Sequence, residues 1–302
     1  MKTILVIFLC FFTILTCALL IIRLMIYHSN GSLVSNGIKR KYILYIPTSY
    51  DPSSPTPLVI SLHGFGDWPA HQMHMSGWNK LADEEDFIAV YPMGTGVPLR
   101  WKLYDYRDAT GNPTPDILFI SDLIDQLSQA YNIDAQRIYA NGLSNGGGMA
   151  QALGCALSER IAAVGSVAGA YLYPLTKCNS GKAIPMIAFH GTADSVVPYN
   201  GGPSKSFDIP FPAVPDLMQQ IAIMNGCTEN AQVMYDGATV QGIQYGNCSD
   251  NADVVLYIIE GGGHSWPGGK AMPYWLVGET NQEINTTRLL WEFFKAHNSS
   301  GK

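Results

Sequence analysis

Arg137-Ile138-Tyr139-Ala140-Asn141-Gly142-Leu143-Ser144-Asn145-Gly146-Gly147-Gly148-Met149-Ala150 passes from a β-branched and aromatic run, through glycines, into a helix-forming segment. The Gly-x-Ser-x-Gly spacing has a mechanical meaning. A serine at a sharp strand-to-helix turn has strained dihedrals, and glycines two before and two after let strand and helix approach without Cβ clashes. The hydroxyl then points out of the sheet, beside a helix N-terminus that favours developing negative charge. Ser144 is therefore the candidate nucleophile. In a chain with 30 glycines the pentapeptide alone is a weak signal, and its weight comes from what precedes and follows it.

Working outward, Leu58-Val59-Ile60-Ser61-Leu62, Phe87 to Pro92, Ile161 to Val167, Ala183 to Phe189 and Val254 to Ile259 read as buried strands. Lys41 to Ile46 alternates like an edge strand. Between them, Trp78 to Asp83, Asp216 to Met224 and Ile284 to His297 read as helices. Ile117, Ile120, Leu123, Ile124, Leu127 and Tyr131 form an apolar stripe on a further helix, with Asp116 as its expected cap. This alternation predicts an α/β fold with a mostly parallel central sheet flanked by helices, in a single domain.

Two further chemical groups fall just after predicted strands. Asp194 follows the run ending at Phe189, and His264 sits in the glycine-rich Gly261-Gly262-Gly263-His264-Ser265-Trp266-Pro267-Gly268-Gly269 after the run ending at Ile259. In an open parallel sheet, reactive groups collect beyond the carboxyl ends of the strands. The order Ser144, Asp194, His264 is that of an α/β-hydrolase triad. His264 would take the serine proton and return it to the leaving group, and Asp194 would hold the imidazole. His63-Gly64-Phe65-Gly66 after the Leu58–Leu62 strand would supply one oxyanion N–H, from Phe65 or alternatively Gly66, and Asn145 the other. Aromatic residues of the loop from Pro98 to Pro115, Trp101, Tyr104 and Tyr106, either line a substrate groove or pack on the core. Trp101, Tyr104 and Trp266 are the candidate substrate contacts. His71 and His74, three apart, are read as solvent-facing side chains rather than metal ligands, and the chemistry requires no metal or organic cofactor.

The chain has 302 residues, 47% of them apolar, enough for one large core. A net charge of −6, with no basic run beyond Lys39-Arg40-Lys41, excludes nucleic acid as a partner. Thr3 to Ile22 is twenty residues without a charge, long enough at about 1.5 Å per residue to span a bilayer. Residues 1–27 are expected to be a signal anchor or signal peptide, 28–40 a tether and 41–298 the catalytic domain, with the membrane contacted only through the N-terminal segment. Arg23 and the basic Lys39-Arg40-Lys41, on the C-terminal side of the span, favour a cytoplasmic domain. Against that, Cys155, Cys178, Cys227 and Cys248 form an even set without metal spacing, which suits an extracellular or periplasmic protein with two disulfides. Pairing of nearest neighbours, Cys155 with Cys178 and Cys227 with Cys248, is the favoured connectivity.

Leu62-His63-Gly64, Gly142-Leu143-Ser144-Asn145-Gly146-Gly147, His190-Gly191-Thr192-Ala193-Asp194 and Gly263-His264-Ser265-Trp266-Pro267-Gly268 together resemble the secreted α/β-hydrolase esterases that include polyhydroxybutyrate depolymerases and feruloyl esterases. The resemblance covers nearly everything from Lys41 to His297. It implies a carboxylic-ester hydrolase acting on small or polymer-derived hydroxyalkanoate or hydroxycinnamate esters, with its triad at Ser144, Asp194 and His264. A serine peptidase on the same scaffold and a catalytically silent binding module are the competing readings.

Overall fold

The computed structural model describes residues 11–12, 14–17, 23–103, 114–172, 175, 178, 182–204 and 210–299. Along the chain these form β1 (Gly31–Ser35), β2 (Ile38–Tyr45), β3 (Thr56–Leu62), α1 (Pro69–Ser76), α2 (Trp78–Glu85), β4 (Ile88–Pro92) and α3 (Pro115–Ala130). β5 (Ile133–Leu143), α4 (Asn145–Ala156), β6 (Ala163–Val167), β7 (Met186–Gly191), β8 (Gly202–Pro203), β9 (Pro210–Phe211) and α5 (Val214–Met224) follow. The C-terminal third adds β10 (Gln232–Asp236), β11 (Val240–Tyr245), β12 (Val254–Ile259), α6 (Tyr274–Val277) and α7 (Thr286–Ala296).

Among the described residues, ten strands make one sheet in the order β1-β2-β4-β3-β5-β6-β7-β12-β11-β10. The central six, β4 to β12, run parallel, and antiparallel pairs close both ends. Parallel strands need crossover helices, and those helices cover both faces. Side-chain alternation divides the core accordingly. Leu58, Ile60, Ile138, Ala140 and Leu256 lie in one apolar cluster with Ile120 and Leu123 of α3, Met149 and Leu153 of α4, and Leu217 of α5. Val59, Tyr139, Phe189 and Tyr257 lie in the other, with Trp78 and Leu81 of α2 and Leu290, Trp291 and Phe294 of α7.

Three sequence expectations change. Lys41–Ile46 is not an edge strand: β2 lies between β1 and β4, and β1 is built from residues expected to be a tether. Asp116 does not cap α3. Thr114 holds the N-cap position with Pro115 after it, and the Asp116 carboxylate is buried against Arg40 at 2.8 Å and accepts the Lys102 N–H at 3.0 Å. Arg40, one of the basic residues that favour a cytoplasmic domain, is thus an internal ion-pair partner. Its guanidinium also lies 4.0 Å above the Phe119 ring. The cysteines pair as Cys155–Cys178 and Cys227–Cys248. Such bridges form and persist in oxidising compartments. Much of the apolar N-terminal stretch, including residues 1–10 and 18–22, lies outside the described residues, and no described helix is long and apolar enough to cross a membrane.

Candidate active site

β5 delivers Ser144 to the end of the sheet in a conformation of φ 55°, ψ −118°, a positive φ that a residue with a Cβ rarely adopts. The turn is held from both sides. The Ser144 N–H donates to Val167 O at 2.8 Å, and its carbonyl accepts the N–H groups of Gly148 at 3.0 Å and Ala170 at 2.9 Å. The flanking glycines are required by contact: a Cβ on Gly142 would lie 2.5 Å from Gly146 C, and one on Gly146 would lie 2.2 Å from Leu62 O. The sequence motif therefore records how closely α4 crosses the end of β3.

Asp194 and His264 come together because β7 and β12 are paired neighbours, with His190 opposite Ile258 and Gly191 opposite Ile259. The loops beyond continue the contact: Thr192 N–H donates to Ile259 O at 2.9 Å and Ala193 N–H to Gly262 O at 3.0 Å. Asp194 Oδ1 accepts the N–H groups of Val196 and Val197, each at 2.8 Å, while Oδ2 lies 2.7 Å from His264 Nδ1. Burial opposes the carboxylate charge, but the imidazoles of His264 and His190 outweigh it and hold the Asp194 carboxyl well below the usual carboxylate range. With Nδ1 committed to Asp194, Nε2 is the ring nitrogen of His264 that Asp194 leaves unbound.

Ser144 and His264 line one cleft of about 450 Å³, walled also by Gly64, Phe65, Trp68, Leu143 and Leu276. Ser144 also borders a second, apolar cavity of about 110 Å³ between Trp101, Leu103, Ala170, Leu172 and Phe211. Phe65 borders both, and Asn145 the smaller. Gly66 is ruled out as an oxyanion donor, because its N–H is already given to Leu99 O at 2.8 Å. The Asn145 N–H begins α4, where the first donors have no partner within the helix.

Trp101 borders the smaller cavity, with its indole N–H donating to His63 O at 2.9 Å. Trp266 does not face either cavity: it is 1% exposed, packed in the core, with its indole N–H on Thr287 Oγ1 at 3.0 Å. Its side chain turns inward from the loop that presents His264. Tyr104 and Tyr106 lie outside the described residues. His74 is exposed with Nε2 2.8 Å from Lys270 Nζ, whereas His71 lines the large cleft. No cluster of potential metal ligands is present among the described residues.

Two roles carried no sequence signal. The Asn145 side chain clamps the Trp101 backbone, accepting its N–H at 2.6 Å and donating to its carbonyl at 3.1 Å. His190, buried beneath Asp194, donates Nε2–H to Val197 O at 2.9 Å and lies 3.4 Å from Asp194 Oδ2. Both contacts are long-range or depend on side-chain direction, which periodicity does not encode.

A six-stranded parallel centre with a strained serine elbow and an Asp–His pair past the next strands defines the α/β-hydrolase class. A family described as Esterase PHB depolymerase matches residues 40–180. Feruloyl esterase B of Piromyces equi is 30% identical over 76% of this chain and 44% of its own length. Feruloyl esterase C of Emericella nidulans is 27% identical over 89% of this chain and 87% of its own. An acetyl xylan esterase structure from Aspergillus awamori shares the fold with a TM-score of 0.60 at 15% identity, covering 78% of this chain and 93% of that one. The chain is thus similar, over most of its length, to the α/β-hydrolase esterases of the polyhydroxybutyrate depolymerase and feruloyl esterase family. It spans less than half the length of the first curated relatives it matches.

Proposed function

We propose that the protein is a serine carboxylic-ester hydrolase that works outside the cytoplasm through an acyl-enzyme, on hydroxycinnamate or hydroxyalkanoate esters. The 2.7 Å contact between His264 Nδ1 and Asp194 Oδ2, with His264 lining the same cleft as Ser144, carries this reading. A serine hydroxyl is a weak nucleophile near neutral pH, so His264 Nε2 takes its proton as Oγ attacks the ester carbonyl. Asp194 fixes the imidazole tautomer and stabilises the imidazolium. The backbone N–H groups of Asn145 and Phe65 receive the oxyanion, a contribution of roughly 3 to 4 kcal/mol per donor. His264 then returns the proton to the departing alkoxide, and water, deprotonated by the same imidazole, releases the acid.

The two disulfides support an oxidising location, with residues 3–22 acting as anchor or signal. The test is turnover of a short p-nitrophenyl ester by the parent and by Ser144→Ala. The substitution is expected to lower kcat by about 10⁴-fold or more. Covalent labelling by a fluorophosphonate should disappear with it. Turnover that survives the substitution overturns the assignment, as does a parent that neither turns over esters nor takes the label.

A further inference from the structure

Residues 93–102, which follow β4, run past the serine elbow as a strap that is hydrogen-bonded at its base and at its tip. At the base, the buried Arg40 guanidinium donates to Met93 O at 3.3 Å and pairs with Asp116 Oδ1 at 2.8 Å. The other Asp116 oxygen accepts the Lys102 N–H at 3.0 Å. One buried ion pair thus holds both ends of the strap. Its middle is closed by Thr95 and Arg100, each donating its N–H to the other's carbonyl at 3.0 Å.

The tip is tied to the two loops that flank Ser144. Leu99 O accepts the Gly66 N–H at 2.8 Å, and the Trp101 indole N–H donates to His63 O at 2.9 Å. On the other side, the Asn145 side chain pairs with the Trp101 backbone, Oδ1 accepting its N–H at 2.6 Å and Nδ2–H donating to its carbonyl at 3.1 Å. Trp101 is 2% and Asn145 8% exposed, so water competes little for these bonds. Both polar atoms of the Asn145 side chain are spent on the strap, while its backbone N–H begins α4 beside the nucleophile.

An oxyanion hole is effective because its donors stand in place before charge develops, and a misplacement of about 1 Å can cost about 10²-fold in rate. A backbone donor has no rotamer to hold it and takes its position from what its loop is bonded to. We propose that the side chains of Trp101 and Asn145 are positioning residues of the oxyanion hole. Trp101 bridges residues 63–66 to Asn145 and so sets the spacing across the hole, and Asn145 fixes its own N–H through the strap. The proposal rests on the serine-esterase reading and adds to it a determinant of kcat. It gives Trp101 two separate tasks, its ring bordering the smaller cavity and its two N–H groups holding the hole together.

The test compares the full-length parent with two variants. Trp101→Phe keeps a ring on the cavity and removes the bond to His63, and Asn145→Ala removes both side-chain bonds to the strap while keeping the backbone N–H. Active sites are counted by end-point labelling with a fluorophosphonate, so that misfolded protein does not enter kcat. On a short p-nitrophenyl ester, kcat per labelled site is expected to fall about tenfold in Trp101→Phe and about 10²-fold in Asn145→Ala, with KM within about twofold. Affinity for an arylboronic acid, whose tetrahedral serine adduct places an oxygen in the hole, should fall by the same factors. A structural role alone lowers the labelled fraction but leaves kcat per site and boronate affinity unchanged, and that result overturns the proposal. A rise in KM at constant kcat makes the two residues substrate contacts and also overturns it. Either outcome leaves the esterase reading intact, whereas a parent without Ser144-dependent turnover or label fails both readings together.

Discussion

Asp194 uses its two oxygens for different tasks. Oδ1 is fixed by two backbone N–H groups of its own loop, so Oδ2 presents a rigid acceptor to His264. Asp194→Asn keeps the shape but offers the imidazole a donor or a weaker acceptor, and should lower kcat by about 10⁴-fold with KM little changed, read by steady-state kinetics on an aryl ester. Two further histidines, His63 and His71, link stability to pH. His63 is wholly buried, with Nδ1–H donating to Gly64 O at 2.7 Å and Nε2 accepting the Gly94 N–H at 3.0 Å, so its neutral form satisfies both nitrogens. Burial pushes its pKa below the ordinary 6.5. Below that value the unfolded chain binds a proton that the folded chain refuses, and stability falls with pH. His71 has the opposite sign: the Asp67 carboxylate raises its pKa above 6.5. Its contribution is complete below 6.5 and is lost as pH rises through the raised value. Between them they place a stability maximum near the ordinary histidine pKa. Urea midpoints between about pH 5 and pH 8 should pass through that maximum, and a midpoint that rises or falls throughout removes one of the two assignments.

At the scale of elements, the elbow depends on how closely α4 approaches the end of β3. Gly146→Ala would set a Cβ 2.2 Å from Leu62 O. Because that neighbour is backbone rather than a flexible side chain, the helix has to shift, costing about 1–3 kcal/mol by thermal or urea unfolding and displacing Ser144. The disulfide between Cys227, just past α5, and Cys248, just past β11, closes a 21-residue separation. Replacing both cysteines by serine should cost about 2–4 kcal/mol, with the Asn225 side chain, bonded to Ile184 and Ala252, still tying the same corner. These elements also show what a sequence reveals. The strands carrying Ser144, Asp194 and His264 were legible because each is a buried apolar run ending in a turn, and a parallel sheet aligns such ends. The β10–β11 hairpin was not, since β10 is exposed on both faces and carries no alternation. β1 reads as a tether for a similar reason: it alternates only at intermediate depth at the sheet edge. Trp266 was misplaced because position in a glycine-rich loop does not fix which way a side chain points.

Across the whole molecule, the face of the sheet opposite α4 is locked by aromatic packing centred on α7. Phe294 is fully buried, stacked on Tyr139 of β5 at 4.8 Å between centroids and parallel to Trp78 of α2 at 6.2 Å. Beside it the Trp78 indole donates to Asn141 Oδ1 at 3.1 Å, an atom that also accepts Ser61 Oγ–H at 2.9 Å. Asn141 lies only three residues before Ser144, so α7 braces from behind the strand that presents Ser144. Phe294→Ala would empty a site walled by rings that cannot collapse into it, and should cost about 3–5 kcal/mol. The chemical step should be spared, because Phe294 touches the far face of β5 while the elbow is held on its own side by Val167 and Ala170. The variant is therefore expected to unfold at lower temperature yet keep its kcat per folded molecule. A loss of kcat at temperatures where circular dichroism shows the fold intact would mean that the brace sets the elbow geometry as well as the stability of the sheet.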